Sequence, residues 1–158
     1  MQKIYIETSV VSYLTARPSK NIIIAGHQIV TKDFWDRIDV SNTFISELVL
    51  QEAGQGDPQA SQMRLEAVNK LKELEIDEEC KGLAKVLLTK KVIPKEFPED
   101  ALHIAVASVH NMDAIVTWNF KHINNPVTRK KIKAIITEEG YNSPELCSPE
   151  EFLGDNYE

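Results

Sequence analysis

The chain has 158 residues, 42% of them hydrophobic and 27% charged, with a formal net charge of -6. That length buries one substantial core and suits a single domain over residues 1–158, and the composition excludes a disordered chain. The acidic balance excludes a generic basic coat for nucleic acid, but not a nuclease, whose pocket needs negative charge for cations while a local basic patch meets phosphate.

In chain order, Lys3 to Ile6 reads as a short buried strand and Thr8 to Leu14 as the start of a helix, so Glu7 falls at the strand's carboxyl end. A loop at Arg17 to Asn21 precedes apolar residues at helical spacing from Ile22 to Ile38, and Asp39 to Ile45 reads as a second strand. Ser46 is placed to cap a helix through Glu52, which the breakers Gly54, Gly56, Asp57 and Pro58 end. Another helix runs to about Leu71, then a third strand over Glu73 to Asp77 and a helix over Glu78 to Val92. Pro98 opens a helix to Asn111, Ala114 to Trp118 forms a fourth strand, and Asn119 to Pro126 a loop. A basic helix from Val127 to Glu139 stops at Gly140, and Ser148 to Glu151 spells a capping box. Strands alternating with helices imply an α/β fold, a mainly parallel sheet of four to five strands between two helical layers.

Cys80 and Cys147 form no CxxC pair and have no histidine or second cysteine near them at zinc-ligand spacing, so both are expected as free thiols in a reducing cytosol. No secretory leader follows Met1 and no apolar run approaches a bilayer's thickness, which sets the expectation of a cytoplasmic protein.

In an open parallel sheet, functional groups gather beyond the carboxyl ends of the strands. Three carboxylates can reach that place: Glu7 after the first strand, Glu52 on the helix after the second, and Asp100 in the first turn after Pro98. Each alone has an ordinary reading as a solvated residue or a helix-dipole partner. Glu7 is the sharper case, because an acid ending a buried strand needs a partner, and a cation supplies one. Mg²⁺ or Mn²⁺ prefers oxygen ligands, and either metal activates water and polarises a phosphoryl oxygen, the two needs of phosphodiester hydrolysis.

On these residues the chain resembles the PIN-domain nucleases, especially the small VapC-like toxins of toxin-antitoxin pairs. The resemblance spans nearly the whole length and rests on Ile4-Tyr5-Ile6-Glu7-Thr8-Ser9-Val10, Ile45-Ser46 with Glu52, Asp100-Ala101-Leu102-His103-Ile104-Ala105 and Ala114-Ile115-Val116-Thr117-Trp118-Asn119. It implies a three-layer α/β/α fold, metal-binding acids at Glu7, Glu52 and Asp100, and Asn119 where many members carry a fourth acid. It also implies endonucleolytic hydrolysis of RNA to 5′-phosphate and 3′-hydroxyl ends, inhibition by a small antitoxin protein, and homodimers as a common state. Two departures stand out. Glu7 replaces the usual Asp and reaches one methylene further, and Asn119 carries no charge, so it can only bond a metal water or offer a neutral oxygen.

Around these acids, Thr8, Ser9 and Thr117 are candidates to orient metal waters or substrate, with helix capping as the plain alternative. His122, in the loop after Asn119, is placed to touch phosphate, and Arg129 and Lys130, with Lys131 and Lys133, form the one dense basic run for an RNA backbone or a solvated face. His103 is expected to be satisfied by backbone in a part-buried helix, Trp118 to be core rather than a base-stacking ring, and Met63 and Met112 to be packing. The rival functional reading is a catalytically silent PIN-like module that binds RNA or a partner. A phospho-acceptor receiver domain and an aspartate-nucleophile phosphatase both need a strand-end Asp where this chain has Glu7.

Overall fold

The computed structural model describes residues 2–154. Five parallel strands form one sheet: β1 (Ile4–Ile6), β2 (Thr43–Ser46), β3 (Lys72–Leu74), β4 (Ala114–Val116) and β5 (Glu145–Cys147), in the order β3-β2-β1-β4-β5. β1 is central, pairing Ile4 with Thr43 on one side and with Ala114 on the other. All three β1 residues are buried, as expected of a strand covered on both faces.

The helices are α1 (Thr8–Thr15), α2 (Ile22–Arg37), α3 (Glu47–Ala53), α4 (Pro58–Val68), α5 (Glu78–Thr89), α6 (Pro98–Val109), α7 (Pro126–Glu138) and α8 (Pro149–Leu153). α1 packs on α2, α3 and α4, and α2 on α8; α5 packs on α6 and α7. These groups make the outer layers of an α/β/α sandwich. The core between them holds Tyr5, Ile6, Phe34, Ile45, Leu87, Ile104, Ile115, Ile132 and Ile136. No helix among the described residues is long and apolar enough to cross a membrane.

Local chemistry accounts for most boundaries. Asn21, Asp57, Asp77 and Asn125 accept backbone N–H groups at the starts of α2, α4, α5 and α7. Ser148 and Glu151 form the full capping box of α8. α6 gives way to β4 through Asn111 at φ 57°, a left-handed conformation that asparagine tolerates better than most residues.

Several boundaries differ from the sequence expectation. Residues 40–42 form a 3-10 turn, because the Asp39 carboxylate accepts from the Ser41 N–H, and the second strand is confined to Thr43–Ser46. The third strand begins earlier, at Lys72, and ends at Leu74 instead of reaching Asp77, which serves as the cap of α5. β5 carries too little apolar periodicity to stand out, with an exposed Glu145 beside a buried Leu146. Met112 is buried, as a packing residue should be, but Met63 is 48% exposed.

Candidate functional site

The carboxyl ends of β1, β2 and β4 and the first turn of α6 bring the acidic residues together. Glu7 leaves β1 as the residue before α1, and it is only 6% exposed. Its Oε1 accepts hydroxyls from Ser9 and, at 2.6 Å, Thr117, and its Oε2 accepts the Ser9 N–H at 3.1 Å. Those hydroxyls are themselves aimed by backbone groups: Trp118 N–H donates to Ser9 Oγ and Asn119 N–H to Thr117 Oγ1, both at 2.9 Å. The β4 exit therefore fixes the lone pairs of an acid on β1.

Glu52 projects from the last turn of α3. Its Oε1 accepts the Thr8 hydroxyl at 2.7 Å and lies 2.6 Å from His103 Nε2. Desolvation raises the Glu52 pKa, but the hydrogen bond and charge of His103, together with Thr8, outweigh it and hold the carboxyl below its ordinary value. Burial works against charge on His103, yet the bond to Glu52 and the negative charges of Glu7, Glu52 and Asp100 raise its pKa overall.

The expectation that His103 is satisfied by backbone is not met. Its Nδ1 lies 2.7 Å from the Tyr5 hydroxyl, which lies 2.8 Å from Ser46 Oγ. In the protonated ring both nitrogens donate, Nε2 to Glu52 and Nδ1 to Tyr5, whose own hydroxyl then donates to Ser46 Oγ. Ser46 sits at the start of α3 but makes no side-chain capping bond, because its hydroxyl serves this buried chain instead. Tyr5 and Ser46 were not recognised as site residues. The available signal was a tyrosine flanked by isoleucines in a buried strand, since a buried phenol needs a partner.

Asp100 lies beside this group. Its Oδ1 accepts the Asn119 amide at 3.2 Å, and its Oδ2 lies 2.9 Å from His122 Nδ1, a charge contact without hydrogen-bond alignment that leaves Oδ2 buried and without a donor. Desolvation, then the charge of Glu7, raises the Asp100 pKa; His122, His103 and Asn119 oppose that rise. Asn119 does not present its oxygen to the acids: Oδ1 accepts the His122 N–H at 3.1 Å, and its amide nitrogen faces Asp100.

One carboxylate oxygen from each of Glu7 and Glu52 and a ring nitrogen of His103 all lie within 4.8 Å of one another. Glu7 and Glu52 supply hard oxygens, and the orphaned Asp100 Oδ2 is an acceptor that a cation would satisfy, so the residues fit Mg²⁺ or Mn²⁺. The other predicted contacts divide. Thr8, Ser9 and Thr117 touch the acids directly, and His122 touches Asp100 while stacking on Phe97 at 3.8 Å between ring centroids. Arg129 does not point free into solvent: its Nη1 donates to the Leu146 carbonyl at 3.2 Å and to Glu151 Oε2 at 2.9 Å. Lys130 is exposed. Trp118 is 5% exposed, donates to Thr31 Oγ1 at 2.8 Å and stacks on His27, so it belongs to the core.

Comparison with solved structures gives two informative likenesses. FitAcB from Neisseria gonorrhoeae matches with a TM-score of 0.56 at 13% identity, covering 92% of this chain and 97% of that one. VapBC2 from Rickettsia felis, bound to a DNA fragment from its promoter, matches with a TM-score of 0.52 at 15% identity, over 92% and 97% of the two chains. The chain has a PIN-like fold. No family model matches the sequence, and no curated protein does. The likeness is thus one of backbone path.

Proposed function

We propose that this PIN-like chain is a divalent-metal-dependent endoribonuclease, the toxin of a toxin-antitoxin pair, acting in the cytoplasm as one domain. The observations that support the reading are that ligand atoms of Glu7, Glu52 and His103 lie within 4.8 Å of one another, and that Asp100, within reach of the charge of Glu7, keeps a buried oxygen without a donor. Burial and then the charge of Glu7 raise the Asp100 pKa, an arrangement that costs stability at neutral pH unless a cation is part of the working state.

Glu7, Glu52 and Asp100 are the residues that would hold Mg²⁺ or Mn²⁺, which when bound supplies Lewis-acid activation of water and of a phosphoryl oxygen. The protein's own groups do the rest. Ser9 and Thr117 hold Glu7 in one rotamer, and Thr8 and His103 do the same for Glu52. Asn119 braces Asp100 and, through its oxygen, the backbone of the loop that carries His122. His122 and the exposed Lys130 are the groups offered to RNA phosphate, while Arg129 reaches it only by leaving Glu151.

The likeness to FitAcB and VapBC2, together with the sequence resemblance to VapC-like toxins, supports an antitoxin protein as partner. Ile22, Ile23 and Ile29 on α2, exposed to 87%, 69% and 65%, give apolar surface that such a partner or a second copy would cover.

The test is cleavage of single-stranded RNA with Mg²⁺ or Mn²⁺ by the wild-type chain and by Asp100→Asn. Cleavage that is abolished by chelation and by the substitution, with an unchanged circular dichroism spectrum, is the expected result. An Asp100→Asn protein that cuts as fast as wild type ends the reading. The neutral Asn119 favours one second reading, a silent RNA- or partner-binding module, which predicts Mn²⁺-dependent stabilisation without cleavage.

A further inference from the structure

Asp77, Cys80 and His110 form a second convergence of metal-ligating side chains, away from the acidic site. One ligand atom from each lies within 4.8 Å of the other two. They come from elements that the packing of α5 against α6 brings together: Asp77 caps α5, Cys80 lies in its first turn, and His110 ends α6. His110 is ten residues along α6 from Asp100, about 15 Å at the helical rise, so the two centres share a helix but no residue.

The group is anchored at one carbonyl. His110 Nε2 lies 2.6 Å from the Glu75 carbonyl oxygen, and Cys80 Sγ lies 3.8 Å from the same atom. A carbonyl cannot donate, so His110 Nε2 donates and its ring is held in place by that bond. An imidazole fixed through a backbone carbonyl is the usual support for a metal-ligating histidine. Asp77 Oδ1 accepts the Cys80 N–H at 2.9 Å, which fixes the carboxylate beside the thiol. Cys80 is fully buried whereas Asp77 and His110 are partly exposed, so the thiol forms the floor and the other two the mouth.

We propose that Asp77, Cys80 and His110 bind a borderline-soft divalent ion of the zinc class, with solvent in the fourth position. The donor set separates this centre from the acidic one: thiolate and imidazole suit zinc and cobalt, whereas carboxylate oxygens alone suit magnesium and manganese. Charge also balances. On binding, the Cys80 S–H bond breaks and its proton goes to solvent, and the thiolate and the Asp77 carboxylate together neutralise a dication beside a neutral imidazole. The bound ion ties the start of α5 to the end of α6, the helix whose opposite end carries Asp100.

Titration of the metal-free full chain with Co²⁺, followed by absorbance, tests this directly, because a thiolate ligand gives a near-ultraviolet charge-transfer band that oxygen ligands do not. The expected result is a band saturating at one ion per chain, unchanged in Cys147→Ser and in Asp100→Asn, lost in Cys80→Ser and weakened in His110→Gln. Zn²⁺ should displace the cobalt and erase the band, and Mg²⁺ should not. Absence of the band in the wild-type chain overturns the proposal without any variant needing to fold. A band that disappears in Cys147→Ser but persists in Cys80→Ser also overturns it. The readout is independent of RNA cleavage, so failure here leaves the ribonuclease reading standing, and the reverse holds.

Discussion

The imidazole of His103 bridges Glu52 and Tyr5, with Nε2 2.6 Å from the Glu52 carboxylate and Nδ1 2.7 Å from the tyrosine hydroxyl. A group 1% exposed in this position links the acid on α3 to the core of β1 and fixes the direction in which that acid points.

The two conservative replacements of His103 separate its two ends. Glutamine keeps a donor near the place of Nε2, and asparagine keeps one near Nδ1. His103→Asn is expected to lower metal affinity or cleavage by about 10–100-fold, the cost of losing a group that orients a ligand. His103→Gln should retain more of both, while still losing about 0.5–1.5 kcal/mol of stability from the lost hydrogen bond at Tyr5, whose hydroxyl keeps Ser46. Mn²⁺ titration and urea unfolding of both variants check the split; equal losses in metal affinity would show that orientation of Glu52 is not the role.

Asp100 should oppose folding of the metal-free protein. Desolvation and the charge of Glu7 raise its pKa above the ordinary 3.8. A carboxyl raised on folding is favourable in its protonated form below 3.8 and loses that contribution as pH rises through the folded value, so at neutral pH it costs stability. Asp100→Asn is expected to melt higher than wild type in EDTA at pH 7, with the gap closing toward pH 4. Added Mn²⁺ should reverse the order, because only wild type gains from binding. A variant that melts lower at pH 7 in EDTA contradicts the electrostatic account.

Asn119→Asp restores a charge where the resemblance places a fourth acid. Asn119 now donates its amide to Asp100 Oδ1 at 3.2 Å. An aspartate there turns a hydrogen bond into a like-charge contact, which should lower the melting temperature in EDTA and tighten Mn²⁺ binding. Calorimetric titration beside thermal melts decides it, and unchanged metal affinity would place residue 119 outside the centre.

The ion pair of Arg129 with Glu151 carries a modest pH dependence. Burial raises the Glu151 pKa, but the bond from Arg129, the Ser148 N–H and the charge of Arg129 take it below the ordinary 4.5. Its stabilisation is therefore full above 4.5 and is lost as pH falls through the lower folded value. Arg129→Met should cost about 0.2–1 kcal/mol at pH 7, the range of exposed pairs, with the deficit shrinking in acid. If Arg129 serves RNA instead, the substitution will weaken RNA binding and flatten its salt dependence without this stability signature.

How the site was legible follows from chain geometry. Glu7 and Asp100 could be placed because a strand end and a proline-led helix start are local features, and the sheet rule then sends both to one edge. The Tyr5-His103-Glu52 connection was not legible, since it depends on which face of α6 meets β1 and α3. Ser46 shows the same limit: its position as a cap was readable, but its hydroxyl bonds Tyr5 41 residues away. The basic run around Arg129 was visible as charge, whereas its partner Glu151 lies on another helix.

By itself the sequence determined the alternation of strands and helices, the capping box of α8 and the acid that ends β1, because these follow from periodicity and from bonds spanning a few residues. The tertiary structure alone decided which side chains meet: His103 with Glu52 across 51 residues, and His110 with Glu75 across 35. Those contacts are set by the packing of helices on a parallel sheet, a relation between distant segments that local pattern does not encode.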